Sequence, residues 1–199
     1  YPPQFLKSAD YILPEARPLI DKSTPVGSMG SCFARESKNH LERMGFNYIS
    51  RGGGQHGSAP WERVYNTACI KQEIQRAFGQ FNGGYLKSAD SRIVDPFRKK
   101  TIFQSFHDAQ QENIAYIQQA KSALMDSRVF IFTLGLSEIW YDRETGFVFA
   151  EIPPSEVFDR NRHACRILDP QENFQNLYDA FELLREQNSA IQIILTVSP

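Results

Sequence analysis

The segment Arg128-Val-Phe-Ile-Phe-Thr-Leu134 constrains this chain more than any other, because a nearly continuous apolar run of strand formers belongs to a strand buried on both faces. Such strands sit inside parallel sheets, whose helical crossovers cover both sides. The residues just before it supply a crossover: Ala109 to Met125 places Ile114, Ile117, Ala120, Leu124 and Met125 on one helical stripe. The pattern repeats at the end of the chain, where a helix over Glu172 to Glu186 precedes the strand-like Ile191-Gln-Ile-Ile-Leu-Thr-Val197. Near the start, Val26 to Gly30 reads as a short strand. It is followed by Phe33, Ser37, Leu41 and Met44 at helical spacing, with Gly45 as terminator. Phe46-Asn-Tyr-Ile49 alternates like a second strand. Strands alternating with helices of ten or more residues predict right-handed crossovers. The fold class expected is therefore α/β, a three-layer sandwich with a mostly parallel sheet. Its strands, near residues 25–30, 46–50, 128–134 and 191–197, are expected in the spatial order 2-1-3-4.

The rest of the chain fits around this frame. Residues 1–24 contain four prolines and read as an extended arm, so the domain proper is expected over residues 25–199. Arg51 to Pro60 is glycine-rich and predicts a loop, and a helix is expected from Glu62 to Phe78, ended by Gly79. Residues 80–106 lack a clean period and predict an irregular insertion with a hairpin. Trp140-Tyr and Phe147-Val-Phe flank Asp-Arg-Glu-Thr-Gly, a second hairpin signal.

Composition excludes several functions. The 199 residues fit one ordinary domain, and 22 Lys and Arg against 23 Asp and Glu leave a formal charge of −1, which draws the chain to neither nucleic acid nor an anionic membrane. No apolar run approaches the ~20 residues of a membrane span, and no leader-like segment opens the chain, so a soluble, cytoplasmic protein is expected. Cys32, Cys69 and Cys165 are odd in number and widely spaced, which writes neither a disulfide framework nor a thiolate metal cage. The histidines are scattered, so neither a metal nor any other cofactor is expected. The glycines at 52–54 lack the Gly-Lys-Ser/Thr ending of a phosphate loop. The chain opens at Tyr1 and closes at Pro199 directly after a strand, which reads as a fragment of something longer.

In an open parallel sheet, ligands sit beyond the carboxyl ends of the strands, so chemistry is sought in the loops after Gly30, Ile49, Leu134 and Val197. Gly30-Ser31-Cys32-Phe33-Ala34 places two nucleophiles at a helix N-terminus, where unpaired N–H groups stabilise thiolate and oxyanion alike. The plainer reading makes Ser31 a helix cap and Cys32 a small buried hydrophobe. Thr133-Leu-Gly-Leu-Ser-Glu-Ile-Trp140 follows the buried strand. There Gly135 can end the strand, Ser137 can offer a hydroxyl, and Glu138 can place a charge at the mouth of the crevice. An ordinary turn with a capping serine is the competing account.

Gly30-Ser31-Cys32-Phe33-Ala34 resembles the signature of the GSCFA domain family. Arg63-Val-Tyr-Asn-Thr67, Asp95-Pro-Phe97, Thr133 to Trp140 and Leu195-Thr-Val-Ser-Pro199 are similar to that family's later blocks, in the right order. The resemblance implies kinship with the SGNH, or GDSL-like, hydrolases: a flavodoxin-like sandwich and, in most members, esterase, lipase or carbohydrate O-acyl hydrolase or transferase activity. The superfamily's first block, Gly-Asp-Ser-Leu, falls on Gly30, Ser31, Cys32 and Phe33, which puts Cys32 at the nucleophile and leaves Ser31 as the alternative. The block Gly-x-Asn-Asp falls on Gly135, Leu136, Ser137 and Glu138, so Ser137 replaces the usual oxyanion-hole Asn. For the remaining donor the resemblance offers Gly57, one of Gly52 to Gly54, or the side chain of Asn66. The last block, Asp-x-x-His, would follow the final strand, so the resemblance implies a catalytic base, a His, beyond residue 199, and none of His40, His56, His107 and His163 matches it. His40 reads as a surface or packing residue of the first helix and His107 as serving a helix start; His56 and His163 are expected in loops.

Two functions follow. The first is an SGNH-type hydrolase or acyltransferase acting on a small-molecule or carbohydrate ester. The second is a carbohydrate-binding module that kept the fold and lost the chemistry, with Trp61, Tyr65, Trp140, Tyr141 and Phe147 around the crevice, although core packing accounts for most of these aromatics. A redox-sensing Cys32 is weaker, since no resolving cysteine is visible by spacing.

Overall fold

The computed structural model describes residues 18–50, 61, 64–98 and 101–197. Most of the expected N-terminal arm and the whole glycine-rich loop lie outside these residues, as does His56.

In chain order, β1 (Val26–Gly30) leads into α1 (Cys32–Arg43), and α2 (Thr67–Ala77) follows. Three short strands come next, β2 (Leu86–Lys87), β3 (Ile93–Asp95) and β4 (Thr101–Phe103), then the long helix α3 (Phe106–Asp126) and β5 (Val129–Leu134). A second group, β6 (Glu138–Asp142), β7 (Val148–Phe149) and β8 (His163–Ile167), precedes α4 (Pro170–Gln187) and β9 (Gln192–Val197). The helix boundaries carry local signals: Ser31, Asn66, Ser105 and Asp169 are the N-caps, and Asp169 and Glu172 form a full capping box ahead of α4. Gly45, at φ +74°, ends α1, a conformation other residues adopt at a cost.

β1, β5 and β9 form a parallel sheet in the order β1-β5-β9, registered so that Gly30, Thr133 and Thr196 share one row at its carboxyl edge. Side chains alternate across it. Met29, Phe130 and Phe132 face one side and pack with Ile70 and Ile74 of α2, Leu124 of α3 and Leu184 of α4. Val26 and Val129 face the other, where Tyr48 and Leu41 of α1 cover them. Both Phe130 and Phe132 are fully buried, each contributing about 2 kcal/mol of transfer free energy. The doubly buried strand expected from residues 128–134 is thus present, with helices on both faces.

Two expectations change. Residues 46–50 make one parallel bridge to Val26, on the edge of β1 opposite β5, where a strand was expected. The cause is local, since the Tyr48 N–H turns back to the Phe46 carbonyl at 2.9 Å and only the groups on either side of it reach Val26. The chain is also richer in antiparallel structure than its periodicity suggests. Residues 80–106 hold the three-stranded sheet β2-β3-β4, and the Trp140/Phe147 hairpin gains β8 to give the order β7-β6-β8. Gln72 of α2 donates its amide N–H to the Val148 carbonyl at 2.6 Å and accepts the Val148 N–H at 2.8 Å, occupying the outer edge of β7.

A charged network joins α2, α3 and β3. Arg76 donates to Asp95 at 2.7 Å and to Asn113, Tyr116 donates to Glu73 at 2.6 Å, and Arg98 reaches Asp95 at 3.1 Å and Glu112 at 2.9 Å. The Arg98 guanidinium lies 4.4 Å above the Tyr116 ring. Glu73, Arg76 and Asp95 are all buried. Burial pushes the Glu73 carboxyl above its ordinary range, while Arg76 pulls it down.

Candidate active site

The carboxyl edge of the sheet is where β1 turns into α1 and β5 turns toward β6. Gly30 is at φ +144°, and a methyl group there would lie 2.2 Å from the Thr133 carbonyl oxygen, so only glycine lets β1 end this close to β5. The Ser31 N–H is held twice by one residue, at 3.0 Å by the Thr133 carbonyl and at 2.8 Å by its Oγ1. The two hydroxyls are 3.1 Å apart, and Ser31 Oγ also accepts the Phe33 N–H at 3.3 Å. Ser31 is 5 % exposed. Its hydroxyl therefore serves as cap and tie, as the plainer reading of the sequence held for this residue.

Cys32 is different. It is the first residue of α1 and is exposed, which excludes the buried-hydrophobe reading. Its N–H belongs to the opening turn of the helix and has no hydrogen-bond partner among the described residues. An exposed thiol and an unspent N–H thus occupy the positive end of a twelve-residue helix. Cys69, by contrast, is buried on α2, and burial pushes its thiol up to about 12. Cys165 is exposed on β8, and its thiol is also raised, by desolvation and then by Glu138.

The second turn packs against the first. A methyl group on Gly135 would lie 3.3 Å from the Ser31 Cβ and 3.3 Å from the Tyr65 ring. The Tyr65 carbonyl accepts both the Gly135 and the Leu136 N–H at 3.0 Å, and the Val64 N–H donates to the Gly30 carbonyl at 2.8 Å. The segment before α2 thereby links both turns. Asn66 caps α2 through Oδ1, which takes the Cys69 N–H at 2.9 Å, and its Nδ2 donates to the Glu138 carbonyl at 3.3 Å. Ser137 is exposed, with its carbonyl held by the Leu168 N–H at 2.8 Å. Gly30, Ser31, Gly135 and Asn66 thus belong to one hydrogen-bonded corner, with Ser137 in the turn beyond it and Glu138 opening β6. The Gly135 N–H is committed to Tyr65, so this glycine contributes close approach and not an open donor.

Beside the corner lies a hollow of about 240 Å³ bounded by Tyr65, Leu136, Glu138, Trp140, Phe149 and Ile152. Glu138 orients the Trp140 indole N–H at 3.2 Å, and Phe158 meets that ring edge-on at 6.0 Å. Trp61, another aromatic expected near the crevice, is 1 % exposed and packs edge-on against Phe130 at 5.8 Å, so it belongs to the core.

The described histidines do not complete a triad. His40 bonds Arg43 on α1, and His107 is exposed on α3. His163, expected in a loop, is instead the first residue of β8 and buried, with Phe149 and Phe158 edge-on at 5.0 and 5.7 Å. Burial holds its pKa below the ordinary value of 6.5. Among the described residues no group of three or more His, Cys, Asp or Glu side chains gathers to hold a metal, and no helix is long and apolar enough to cross a membrane.

Two residues central to this corner have roles not assigned from the sequence: Thr133 figures there only within the strand and the Thr133–Trp140 block, and Tyr65 only within the Arg63–Thr67 block and as a crevice aromatic. A hydroxyl at the last inward position of the buried strand, in line with Gly30, is the signal that points to Thr133.

Fold and corner together define an α/β protein with a thiol-bearing turn between the first strand and first helix of a parallel sheet. The GSCFA family model matches residues 25–199, and the chain belongs to the GSCFA family. Comparison with curated proteins and with solved structures found no match.

Proposed function

We propose that this chain is an SGNH-type hydrolase or acyltransferase acting on an ester, with an O-acylated carbohydrate as the substrate class and Cys32 as nucleophile. The observation that carries this reading is the contrast at the turn: the Ser31 hydroxyl is buried and spent on the backbone, while the Cys32 thiol stands exposed beside an unpartnered N–H. The Cys32 thiolate attacks the acyl carbon, forming a C–S bond as the carbonyl π electrons move to oxygen. The Cys32 N–H stabilises that oxyanion, with the Ser137 hydroxyl as second donor. Collapse expels the alkoxide, which takes a proton from water. Attack by water, or by an acceptor hydroxyl, on the thioester releases the acid or the new ester and returns the thiol. A thiolate, once formed, attacks without a base to deprotonate it in the transition state. The flavodoxin-like sandwich of that superfamily is the layout this reading requires, and the strand order at β1-β5-β9 supports it.

Incubation with p-nitrophenyl acetate, followed by peptide mass spectrometry, tests the proposal. An acetyl group on the Cys32 peptide, with iodoacetamide labelling Cys32 before Cys165 and Cys69, is the expected outcome. An unlabelled Cys32 beside a modified Cys165 overturns the thiol assignment. A second reading, a carbohydrate-binding module without chemistry, draws on the hollow with the oriented Trp140. Glycan binding with no acylation at Cys32 favours it.

A further inference from the structure

We propose that Thr133 is a positioning residue for acyl transfer at Cys32, acting through Ser31; this rests on the reading of Cys32 as nucleophile. The Ser31 N–H already has a sheet partner in the Thr133 carbonyl at 3.0 Å, the bond that parallel pairing supplies. The second acceptor, Thr133 Oγ1 at 2.8 Å, is surplus to the ladder. It adds geometry instead. With its nitrogen held by Oγ1 and its own hydroxyl tied to the same oxygen at 3.1 Å, Ser31 is fixed in both φ and χ1. The backbone N–H of Phe33, donating to Ser31 Oγ at 3.3 Å, closes the arrangement from the helix side. The peptide plane that follows Ser31 carries the Cys32 N–H, and its carbonyl accepts the Ala34 N–H at 2.9 Å, so holding Ser31 at both ends fixes the direction of the donor that faces the oxyanion. Thr133 itself is fully buried and touches no substrate. It is also the closest neighbour to any side chain placed at Gly30, so one residue of β5 sets the width and the orientation of the turn.

Acylation needs a positioned oxyanion donor, whereas alkylation by iodoacetamide is a displacement at carbon that develops no oxyanion. The two reactions of the same thiol therefore separate positioning from mere folding. In Thr133→Val, which keeps the branched shape and removes the hydroxyl, acetylation of Cys32 by p-nitrophenyl acetate is expected to fall tenfold or more while its alkylation stays within about twofold, and Thr133→Ser restores acetylation. Acetylation unchanged in Thr133→Val overturns the proposal, as does loss of both reactions that Ser does not restore. Amide hydrogen exchange decides independently of chemistry. The Ser31 and Phe33 amides are expected to exchange several times faster in Thr133→Val than in wild type or Thr133→Ser, and equal exchange overturns the positioning role. If the wild-type chain takes up no acetyl group yet exchange responds as expected, the Cys32 reaction fails while the Thr133–Ser31 strut stands.

Discussion

The β1–α1 corner and the network between α2, α3 and β3 both keep polar side chains from water, and they do so in opposite ways. In the network charged and polar side chains face one another: Arg76 with Asp95, Tyr116 with Glu73, and Arg98 with Asp95 and Glu112, while the buried Arg76 Nη1 makes no hydrogen bond among the described residues and lies 3.9 Å from Glu73. Burial raises both the Glu73 carboxyl and the Tyr116 hydroxyl, and the two share one hydrogen bond. At the corner no charged side chain takes part. The backbone is tied by neutral hydroxyls and carbonyls, and one thiol and one N–H are left over. Perturbed ionisation thus accompanies structure in one region, whereas the unspent groups at the start of α1 are the ones that the proposed chemistry would use.

The largest effect that separates the two is expected from Arg76→Met. Removing the cation leaves buried Glu73 with Tyr116 but without its adjacent cation, and Asp95 with Arg98 alone, and stability should fall by about 3 kcal/mol, read as a lower urea midpoint. Cys32 alkylation in the folded fraction should not change; a slowed Cys32 would join the two regions after all. Gly30→Ala attacks the corner instead. A positive φ and a methyl group driven into the Thr133 carbonyl should cost about 3 kcal/mol, and Cys32 acetylation should drop further than the loss of folded protein explains. Ser31→Ala removes the cap for about 1 kcal/mol, with Cys32 still alkylated; abolished alkylation would reinstate Ser31 in the chemistry. The smallest effect concerns His163, a buried titrating group in neither region. Its folded pKa lies below 6.5, so the unfolded chain takes up the proton first, and stability should decline as pH falls below about 6.5. Comparing urea midpoints at about pH 7.5 and about pH 5.5 for wild type and His163→Gln isolates this share, and equal slopes would show that His163 does not contribute.

Local sequence rules made the central sheet legible. A nearly continuous apolar run over Val129 to Leu134, a glycine stop after α1, and the helical pattern over Glu172 to Glu186 each specify an element without distant partners. What escaped depends on pairing. β3 has three residues and β7 two, too short for a period, and β8 is ordered because β6 lies beside it. The site divided in the same way. Gly30, Ser31 and Cys32 declare themselves as a motif. The Thr133 hydroxyl and the Tyr65 carbonyl matter only because a parallel register and a loop bring them to that motif, and the carbonyl belongs to the backbone, which carries no sequence signal.

Gln72 shows how economically such pairing can be arranged. Its carboxamide is a peptide group on a side chain, so α2 lends the small β7-β6-β8 sheet one unit of a neighbouring strand without the strand itself. At Val148 an incoming chain would find both valences filled. A two-residue edge that could otherwise template pairing with another molecule is closed at Val148 by a single residue of a helix.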